Sequence, residues 1–356
     1  ANHNGKLETA LRIIEEAARA GADAVKLQTY RPDTITLDCD SDDFKIKGGL
    51  WDGRTLYELY EEAHMPWEWH QPLFEHARKL GITIFSSPFD NTAIDLLEDL
   101  NAPAYKIASF EAVDLPLIKY AASTGKPMII STGMASIAEL DDTVRAARQA
   151  GCKDLVLLKC TSTYPATADN TNILTIPHMR ELFGCEVGLS DHTMGVGVSV
   201  ASVALGASVI EKHFTLNRAD GGVDSSFSME PSEMAQLVVE TERAWQALGR
   251  VSYGATEAEK KSIVFRRSLY IVKDLQAGDS LATIAGAKKD ALITALVALE
   301  TKEIDDAVTA GKLTAAQATT MKANVKDRVT SMVNNVRGMG RGMGMGHEGM
   351  GKGGHF

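Results

Sequence analysis

From Lys6 to about residue 250, segments with two different spacings of apolar residues alternate along the chain. Longer stretches such as "TALRIIEEAARAGA" place apolar residues every three or four positions, which indicates amphipathic helices, and several of these stretches end in glycine, as helices often do. Short apolar runs bounded by Gly, Pro, Ser or Asp lie between them and predict β-strands. The predicted strands cover residues 23–30, 81–88, 104–109, 127–132, 155–161, 186–191 and 209–216. This regular alternation is typical of βα units around a parallel sheet.

The number and the polarity of these strands favour a barrel. A (β/α)8 barrel of the TIM type has eight strands, each followed by a helix, in roughly 250 residues, and its chemistry collects at the C-terminal strand ends. Polar and ionisable residues recur at those ends here, which favours the barrel over an open doubly wound sheet. The first helix begins near Lys6 with no strand before it. We therefore expect an α/β barrel of the TIM type that lacks its first strand in this chain, because that strand would lie upstream of Ala1.

The pattern changes after the barrel. Residues 1–263 are assigned to the barrel, and residues 264–287 are interpreted as a linker that enters a new β-rich unit. Residues 288–336 have a helical pattern broken at "AGKLT", which predicts a helical hairpin. Residues 337–356 are rich in Gly and Met, and such low complexity predicts a disordered tail. Within the barrel, the long insertion at 31–68 is expected to form a lid or wall of a site.

Composition narrows the function classes. The net charge of −10 and the pI near 5.4 argue against a protein that binds nucleic acid or a membrane surface, whereas small charged substrates stay open. Four cysteines without a CxxC pair favour a reducing, cytoplasmic setting with no disulfides. No basic segment followed by an apolar run opens the chain, and no apolar stretch approaches the roughly 18–20 residues that span a bilayer. We expect a soluble protein.

Two histidines stand at the ends of consecutive predicted strands, His192 in "GLSDHTMG" and His213 in "VIEKHFTL". Neighbouring barrel strands place such residues side by side, where two imidazoles could hold one divalent metal with open positions for water or substrate. Two protein ligands favour a loosely held Mn²⁺ or Mg²⁺ over a closed structural zinc. The alternative is two unrelated polar residues near loops.

Two lysines interrupt apolar strands, Lys26 in "VKLQT" and Lys106 in "YKIAS". Burying a lysine is costly unless an anion partners it, so each predicts either a bound anion or a structural salt bridge. Hydroxyl residues recur at the same strand ends and could complete a cradle for phosphate or carboxylate, although such residues also serve as helix N-caps. These residues are Ser86, Ser87, Ser109, Ser131, Thr132, Ser162 and Ser190.

Four further polar residues are expected around the mouth of the barrel, where the C-terminal strand ends meet: Gln28, Glu111, Tyr164 and Asp224. Together they could bind a polyhydroxylated or amide-bearing ligand. For Glu111 the alternative is a carboxylate that stabilises a helix start, and for Asp224 it is a turn residue.

Residues 1 to about 280 resemble the sialic acid (nonulosonic acid) synthase family, whose members are barrels that condense phosphoenolpyruvate with an amino-sugar aldehyde. The motifs "ANHNG", "KLQT", "SSPFD", "YKIAS", "STGM", "CTSTYP", "GLSDHT" and "EKHFT" follow in the family's order. The segments "GLWDGRTLYELYEEAHMPWEWH" and "GGVDSSFSMEP" most resemble the subgroup that uses a 2,4-diacetamido-2,4,6-trideoxy-altrose to make pseudaminic acid. The alternatives are a synthase of legionaminic or N-acetylneuraminic acid, and a catalytically impaired barrel that acts as a binding or structural protein.

The resemblance also implies roles for particular residues. His192 and His213 match the metal ligands, with Mn²⁺ usual and Mg²⁺ or Co²⁺ as alternatives. The positions that match those around phosphoenolpyruvate are Lys26, Lys106, Ser87, Ser109, Ser131, Ser162 and Ser190. The positions that match contacts to the sugar or its reacting end are Gln28, Glu111, Tyr164 and Asp224. In the family's reaction the metal polarises the aldehyde, C3 of phosphoenolpyruvate attacks it, water adds at C2, and phosphate leaves by C–O cleavage, which gives Glu111 and the two histidines catalytic roles.

The chain departs from the family pattern at both ends. The family's initial strand carries a glutamate ahead of the "ANHNG" loop, and that strand is expected outside this chain. Family members are homodimers in which a small antifreeze-like domain supplies an arginine to the partner's site. Here such a domain begins at "RRSLYIVKDLQAGD" and gives way to the predicted hairpin and tail, so the swapped domain is expected to be absent.

Overall fold

The computed structural model describes residues 1–267, 276 and 278–336, and the chain divides into two units, Ala1–Ser252 and Tyr253–Phe356. The predicted Gly/Met tail at 337–356 lies outside the described residues, as do residues 268–275 and 277 of the predicted linker.

The first unit is built on a parallel sheet whose strands follow one another in chain order, β1 to β7. Each strand therefore pairs with the next along the chain, as in a barrel, and the predicted α/β fold with seven strands is confirmed. The strands are β1 (Ala24–Thr29), β2 (Thr83–Pro88), β3 (Tyr105–Ile107), β4 (Met128–Ser131), β5 (Leu155–Cys160), β6 (Glu186–Asp191) and β7 (Val209–Lys212). The sheet is curled: Lys26 on β1 and Glu211 on β7 form a salt bridge across the gap between the two edge strands.

Helices follow the strands of this unit, and their ends agree with the local sequence. Ser136 caps the helix Ile137–Gln149 through a reciprocal pair of hydrogen bonds with Glu139, and Asp90 caps the helix Asn91–Asp99. Gly81 ends the helix His70–Leu80 with φ of 75°, and Gly184 ends the helix Thr175–Phe183 with φ of 57°, a conformation that glycine adopts without strain. The helices are α1 (Leu7–Arg19), α2 (Pro32–Ile35), α3 (Leu56–Ala63), α4 (His70–Leu80), α5 (Asn91–Asp99), α6 (Leu115–Ser123), α7 (Ile137–Gln149), α8 (Thr175–Phe183), α9 (Gly197–Ala204) and α10 (Pro231–Leu248).

Strand β3 shows how the sheet separates the apolar core from the site. Tyr105 and Ile107 are fully buried in the main hydrophobic cluster, with residues of α5 and α6 such as Leu97 and Ile118. Side chains alternate along a strand, so Lys106 between them points to the opposite face. There it meets Glu211 inside the curled sheet. The outer face of the sheet is therefore a packed core, and the inner face is charged near the strand ends.

The second unit contains four described α-helices: α11 (Leu281–Ala285), α12 (Lys289–Thr309), α13 (Ala315–Ala323) and α14 (Val325–Asn334). Val325, Val329 and Val333 recur every four residues along α14 and form a small core with Ile304 of α12 and Ala318 of α13. The break at "AGKLT" is present: Gly311 has φ of 67°, and Thr314 caps α13. The segment predicted as a hairpin thus holds α12 followed by two shorter helices.

None of the helices in the described ranges is long and apolar enough to cross a membrane. All four cysteines are free thiols.

Candidate active site

The residues predicted for the site lie at the C-terminal strand ends, which parallel order brings to one mouth. They come from every strand of the sheet: Lys26 and Gln28 on β1; Ser87 on β2; Lys106 on β3, with Ser109 and Glu111 just beyond it; Ser131 on β4; Ser162 and Tyr164 after β5; Ser190 on β6, with His192 just beyond it; and His213 and Asp224 after β7.

His192 and His213 are brought together as predicted, with ring centroids 5.2 Å apart. One ring nitrogen of each has a partner: His192 Nδ1 lies 2.9 Å from the carbonyl oxygen of Thr161, and His213 Nδ1 lies 3.3 Å from Asp224 Oδ2. Such contacts set the orientation of both rings. They leave Nε2 of His213 for another ligand, whereas the ring of His192 also lies beside the Cys160 thiol. Burial lowers the pKa of His213, although Asp224 opposes the shift, so burial favours the neutral form that binds metals.

The donor set of this pair fits a loosely held divalent metal. Within the described part of the chain, no group of three or more His, Cys, Asp and Glu residues is arranged to hold a metal ion. Two imidazoles would occupy two coordination positions of such a metal, and an open catalytic site uses the others for substrate and water.

Lys26 and Lys106 meet a partner that the sequence analysis did not identify. Their Nζ atoms lie 3.0 and 3.4 Å from the same oxygen, Glu211 Oε1, and Ser190 Oγ donates a hydrogen bond to that oxygen at 3.2 Å. Three donors thus converge on one carboxylate oxygen. Glu211 stands two positions before His213 in "VIEKHFTL", and its own strand places it near the histidines.

The charges of this cluster remain in place at neutral pH. Burial lowers the pKa of Lys106 to about 8, although Glu211 opposes the shift, so the ammonium group is still mostly protonated near pH 7. Burial alone would raise the pKa of Glu211, but Lys106 and Lys26 outweigh it and hold that pKa well below its usual range. The cluster therefore carries two positive charges and one negative charge.

Two of the serine hydroxyl groups at this mouth have no protein partner in the described residues. Ser87 and Ser131 are almost completely buried, and their Oγ atoms find no hydrogen-bond partner within the described residues. Leaving a buried hydroxyl unpaired costs about 1–3 kcal/mol, so such atoms point to a ligand or water that completes them. Ser109 Oγ accepts a hydrogen bond from Gly133 N at 3.2 Å. A Cβ at Gly133 would lie 2.2 Å from Ser162 Oγ, so this position has room only for glycine.

Two of the hydroxyl residues considered from the sequence serve the fold instead. Ser86 Oγ is 2.6 Å from Thr29 Oγ1, which in turn is 2.8 Å from His70 Nε2, so Ser86 belongs to a buried network with α4. Thr132 Oγ1 donates to the carbonyl oxygen of Leu158 at 3.0 Å. Ser86 and Ser87 are adjacent on β2 and face opposite sides, which explains their different roles.

Tyr164 stands in an aromatic wall beside the histidines. Its ring centroid lies 4.6 Å from that of His192, 5.2 Å from that of Phe227 and 5.9 Å from that of Trp51. Trp51 belongs to the insertion at 31–68, and its Nε1 donates to the carbonyl oxygen of Val223 at 3.1 Å. The insertion therefore reaches the loop after β7 and forms part of the wall of the mouth, and its tryptophan extends the apolar surface that Tyr164 presents.

Glu111 lies in a short 3-10 helix, Ser109–Val113, directly after β3. Burial raises the pKa of its carboxyl group to about 7, although Lys106 opposes the shift, and Glu111 Oε2 is buried without a hydrogen-bond partner in the described residues. A carboxyl group with that pKa can both hold and release a proton at neutral pH.

Cys160 is a second residue of the site that sequence reasoning missed. Its Sγ lies 3.7 Å from Ser162 Oγ at the end of β5. Burial alone would raise the pKa of this thiol, but the interactions with His192, Ser109 and Ser162 together outweigh it and bring the pKa to about 6. The motif "CTSTYP" begins with this residue, but the sequence does not show that His192 lies close to the thiol.

The loop "ANHNG" lies at the same mouth. Asn2 Nδ2 donates to the carbonyl oxygen of Phe214 at 2.9 Å and to Ser228 Oγ at 2.8 Å, and Asn2 Oδ1 accepts from Asp224 N at 3.2 Å. Asn4 Nδ2 donates to the carbonyl oxygen of Gly221 at 3.1 Å. These bonds connect the residues before α1 to the loops after β7 and help to place Asp224.

Comparison with known proteins gives a consistent result. A family model described as "NeuB family" matches residues 13–253. The chain is 48% identical over 279 residues to a pseudaminic acid synthase of Campylobacter jejuni subsp. jejuni serotype O:2, covering 78% of this chain and 81% of the relative. It is 46% identical over 283 residues to a pseudaminic acid synthase of Helicobacter pylori, covering 79% and 83%. An N,N'-diacetyllegionaminic acid synthase of the same Campylobacter strain is 36% identical over 282 residues, covering 78% and 84%.

Among solved structures, the N-acetylneuraminic acid synthetase of Leptospira borgpetersenii serovar Hardjo-bovis in complex with citrate superposes with a TM-score of 0.65. The two chains are 32% identical, and the match covers 75% of this chain and 89% of that chain.

Proposed function

The chain belongs to the NeuB family, the sialic acid synthase family indicated by its motifs, and we propose that it condenses phosphoenolpyruvate with 2,4-diacetamido-2,4,6-trideoxy-altrose to give pseudaminic acid and phosphate. Support for this sugar comes from the gradient of identity, which is 46–48% to pseudaminic acid synthases and 36% to a legionaminic acid synthase over similar lengths.

The observation that carries the proposal is the pairing of an anion cradle with two imidazoles at one mouth. Lys26 and Lys106 supply positive charge, and the unpartnered hydroxyl groups of Ser87 and Ser131 supply hydrogen bonds. Phosphoenolpyruvate carries a phosphate and a carboxylate, and both are suited to lysine and hydroxyl donors. Holding this donor beside the aldehyde would convert an encounter of two substrates into a reaction within one complex.

The cofactor is proposed to be Mn²⁺, with Mg²⁺ or Co²⁺ as alternatives, held by His192 and His213. A metal in this position supplies Lewis acidity toward the sugar carbonyl. The protein's own contribution is to orient both imidazoles through Thr161 and Asp224, which sets the geometry in which they would hold the ion.

The remaining residues are assigned by their position and charge. C3 of phosphoenolpyruvate forms the new bond to the aldehyde carbon, water adds at C2, and phosphate leaves with cleavage of its C–O bond. Glu111 Oε2 is assigned to take the proton that this water loses, since its carboxyl group titrates near neutral pH. Tyr164 and Trp51 form an apolar wall for the sugar, and Gln28 and Asp224 supply polar contacts to it. The four free thiols fit a reducing compartment, and we place the enzyme in the cytoplasm.

The test is to incubate the purified chain with phosphoenolpyruvate, Mn²⁺ and, separately, sugars of the altrose and mannose series, and to measure phosphate release and product mass. We expect the highest kcat/KM with the altrose sugar. Preference for a mannose sugar would favour a legionaminic or N-acetylneuraminic acid synthase. Binding of phosphoenolpyruvate without release of phosphate from any sugar would favour a binding protein and overturn the proposed activity.

A further inference from the structure

Glu211 occupies the charged half of the proposed donor cradle. Its Oε1 forms salt bridges with Lys26 Nζ at 3.0 Å and Lys106 Nζ at 3.4 Å, and it accepts a hydrogen bond from Ser190 Oγ at 3.2 Å. These three groups are also assigned to phosphoenolpyruvate. The carboxylate oxygen therefore stands where an oxygen of the bound donor is expected.

The other half of the cradle is left open. Ser87 Oγ and Ser131 Oγ are buried and find no partner in the described ranges, so the carboxylate of Glu211 satisfies the cations and leaves these hydroxyl groups to another molecule. Within the same ranges, Glu211 is the sole carboxylate within salt-bridge distance of either lysine. An anionic donor that binds both ammonium groups competes with this carboxylate for them, because one carboxylate oxygen already receives both.

A buried cation needs a counter-charge at every stage, whether or not a ligand is bound. Lys106 is 1% exposed, and Glu211 is the carboxylate that it contacts in the described ranges. Phosphoenolpyruvate brings more negative charge than one carboxylate, so it can take over both lysines once it enters the cradle.

On this geometry, and resting on the proposed function, we propose that Glu211 is an internal counter-ion of the donor site. It neutralises Lys26 and Lys106 while the site holds no donor, and phosphoenolpyruvate displaces it from them. Glu211 is thus a positioning residue that competes with the donor for its binding cations.

This exchange predicts that Glu211→Gln tightens donor binding. The amide keeps the shape of the side chain and can still accept hydrogen bonds, but it no longer competes by charge. We expect the Kd for phosphoenolpyruvate to fall about tenfold or more, since a shift of this size follows from losing one charge contact in a partly buried site. The protein without ligand should be less stable, and the rise in Tm caused by phosphoenolpyruvate should exceed that of the wild type.

The experiment measures the Kd for phosphoenolpyruvate by calorimetry, together with Tm with and without phosphoenolpyruvate, on the full chain in the absence of sugar. Glu186→Gln is the matched control. Glu186 is the first residue of β6, at the end of that strand remote from the mouth, and it pairs with Arg180 at the surface. It should leave both the Kd and the Tm shift unchanged. A folded Glu211→Gln protein whose Kd is unchanged or weaker would overturn the proposal and make Glu211 a fixed structural clamp on the lysines.

If Glu211→Gln fails to fold, Glu211→Asp provides the second measurement. The shorter side chain keeps the charge but withdraws the carboxylate from the lysines, so the Kd should fall by a smaller factor, and an unchanged or weaker Kd would again overturn the proposal. A wild-type protein that does not bind phosphoenolpyruvate would overturn the proposed function and this inference together. Wild-type binding without tightening in the variants would overturn the role of Glu211 alone.

Discussion

Asp191 and Lys212 form a fully buried ion pair, with Oδ2 and Nζ 3.1 Å apart, and each residue directly precedes one of the two site histidines. The pair lies opposite in register at the last residues of β6 and β7. Asp191 also accepts hydrogen bonds from Thr193 N at 2.8 Å and Ser199 Oγ at 2.6 Å. Side chains alternate along a strand, so this ion pair lies on the outer face of the sheet and connects the two strand ends, whereas the histidines face the mouth.

Replacing Asp191 by Asn should destabilise the fold and weaken metal binding. The buried Lys212 would lose its charge partner, which typically costs about 3–5 kcal/mol, and the spacing of the histidines would be less well held. Urea unfolding would measure the stability, and an electron paramagnetic resonance titration would measure Mn²⁺ affinity. The double variant D191N/K212M leaves no unpaired charge and should recover most of the stability. A single variant within about 1 kcal/mol of the wild type would contradict this account.

Replacing His192 by Ala should leave the fold intact and remove metal-dependent turnover. Loss of one of two imidazole ligands should weaken Mn²⁺ binding by about a hundredfold or more. Circular dichroism would check the fold, and the same titration would give the affinity. His178→Ala is a suitable control because His178 is exposed on α8. Undiminished Mn²⁺ affinity in the His192 variant would reject its assignment as a ligand.

Replacing Gly133 by Ala should impair donor binding with little effect on stability elsewhere. The added Cβ would lie 2.2 Å from Ser162 Oγ and 2.8 Å from Ser109 Oγ, so both proposed donor contacts must move. Displacements of this kind typically lower catalytic efficiency about tenfold to a hundredfold. We expect the loss to show as a higher KM for phosphoenolpyruvate. Gly197→Ala is matched to it, since a Cβ there meets nothing within 4 Å. The assignment of the two serines does not survive if both variants have the wild-type KM.

The buried carboxyl group of Glu111 should make stability depend on pH. Burial raises its pKa to about 7 in the folded protein, from a reference value of 4.5. The folded state therefore binds more protons between these values, and this contribution is complete below pH 4.5 and is lost as pH rises through 7. The shift corresponds to roughly 3 kcal/mol at most.

Glu111→Gln cannot ionise, so its stability relative to the wild type should increase by about 2–3 kcal/mol between pH 5 and pH 8. Urea unfolding of both proteins at the two pH values measures this difference. Subtracting one free energy of unfolding from the other cancels the contributions of the other titrating groups. A difference that does not change with pH would show that the carboxyl group is solvated. The same variant should lower kcat, because the proposed proton acceptor is missing.

Most of the fold could be predicted because the strands are buried and bounded by turn residues. The run at 23–30 corresponds to β1 (Ala24–Thr29), and the run at 209–216 starts where β7 (Val209–Lys212) starts. The latter strand ends early because His213 and Thr215 hydrogen-bond to Met229 in the loop that follows β7, and no longer to a strand of the sheet. Apolar periodicity locates strands well, but it does not show where pairing stops.

The site was partly predictable for a related reason. Strand order brings His192 and His213 together, and alternation separates Ser86 from Ser87, but a pattern does not show which face is inward. The partner of Lys26 could not be predicted, because Glu211 lies on the opposite edge of the sheet and meets it only after the sheet curls. The low pKa of the Cys160 thiol likewise depends on a histidine that is distant in sequence.

The bridge between Lys26 and Glu211 joins the first and last strands of the sheet, which pair with β2 and β6 alone in the described part of the chain. Side-chain charge therefore connects two edges that main-chain hydrogen bonds do not connect. A substitution that changes either charge alters the closure of the sheet and the affinity for the donor at once. Ligand affinity and resistance to unfolding are coupled quantities in this protein, and hydrogen exchange at β1 and β7 should change whenever the donor site fills.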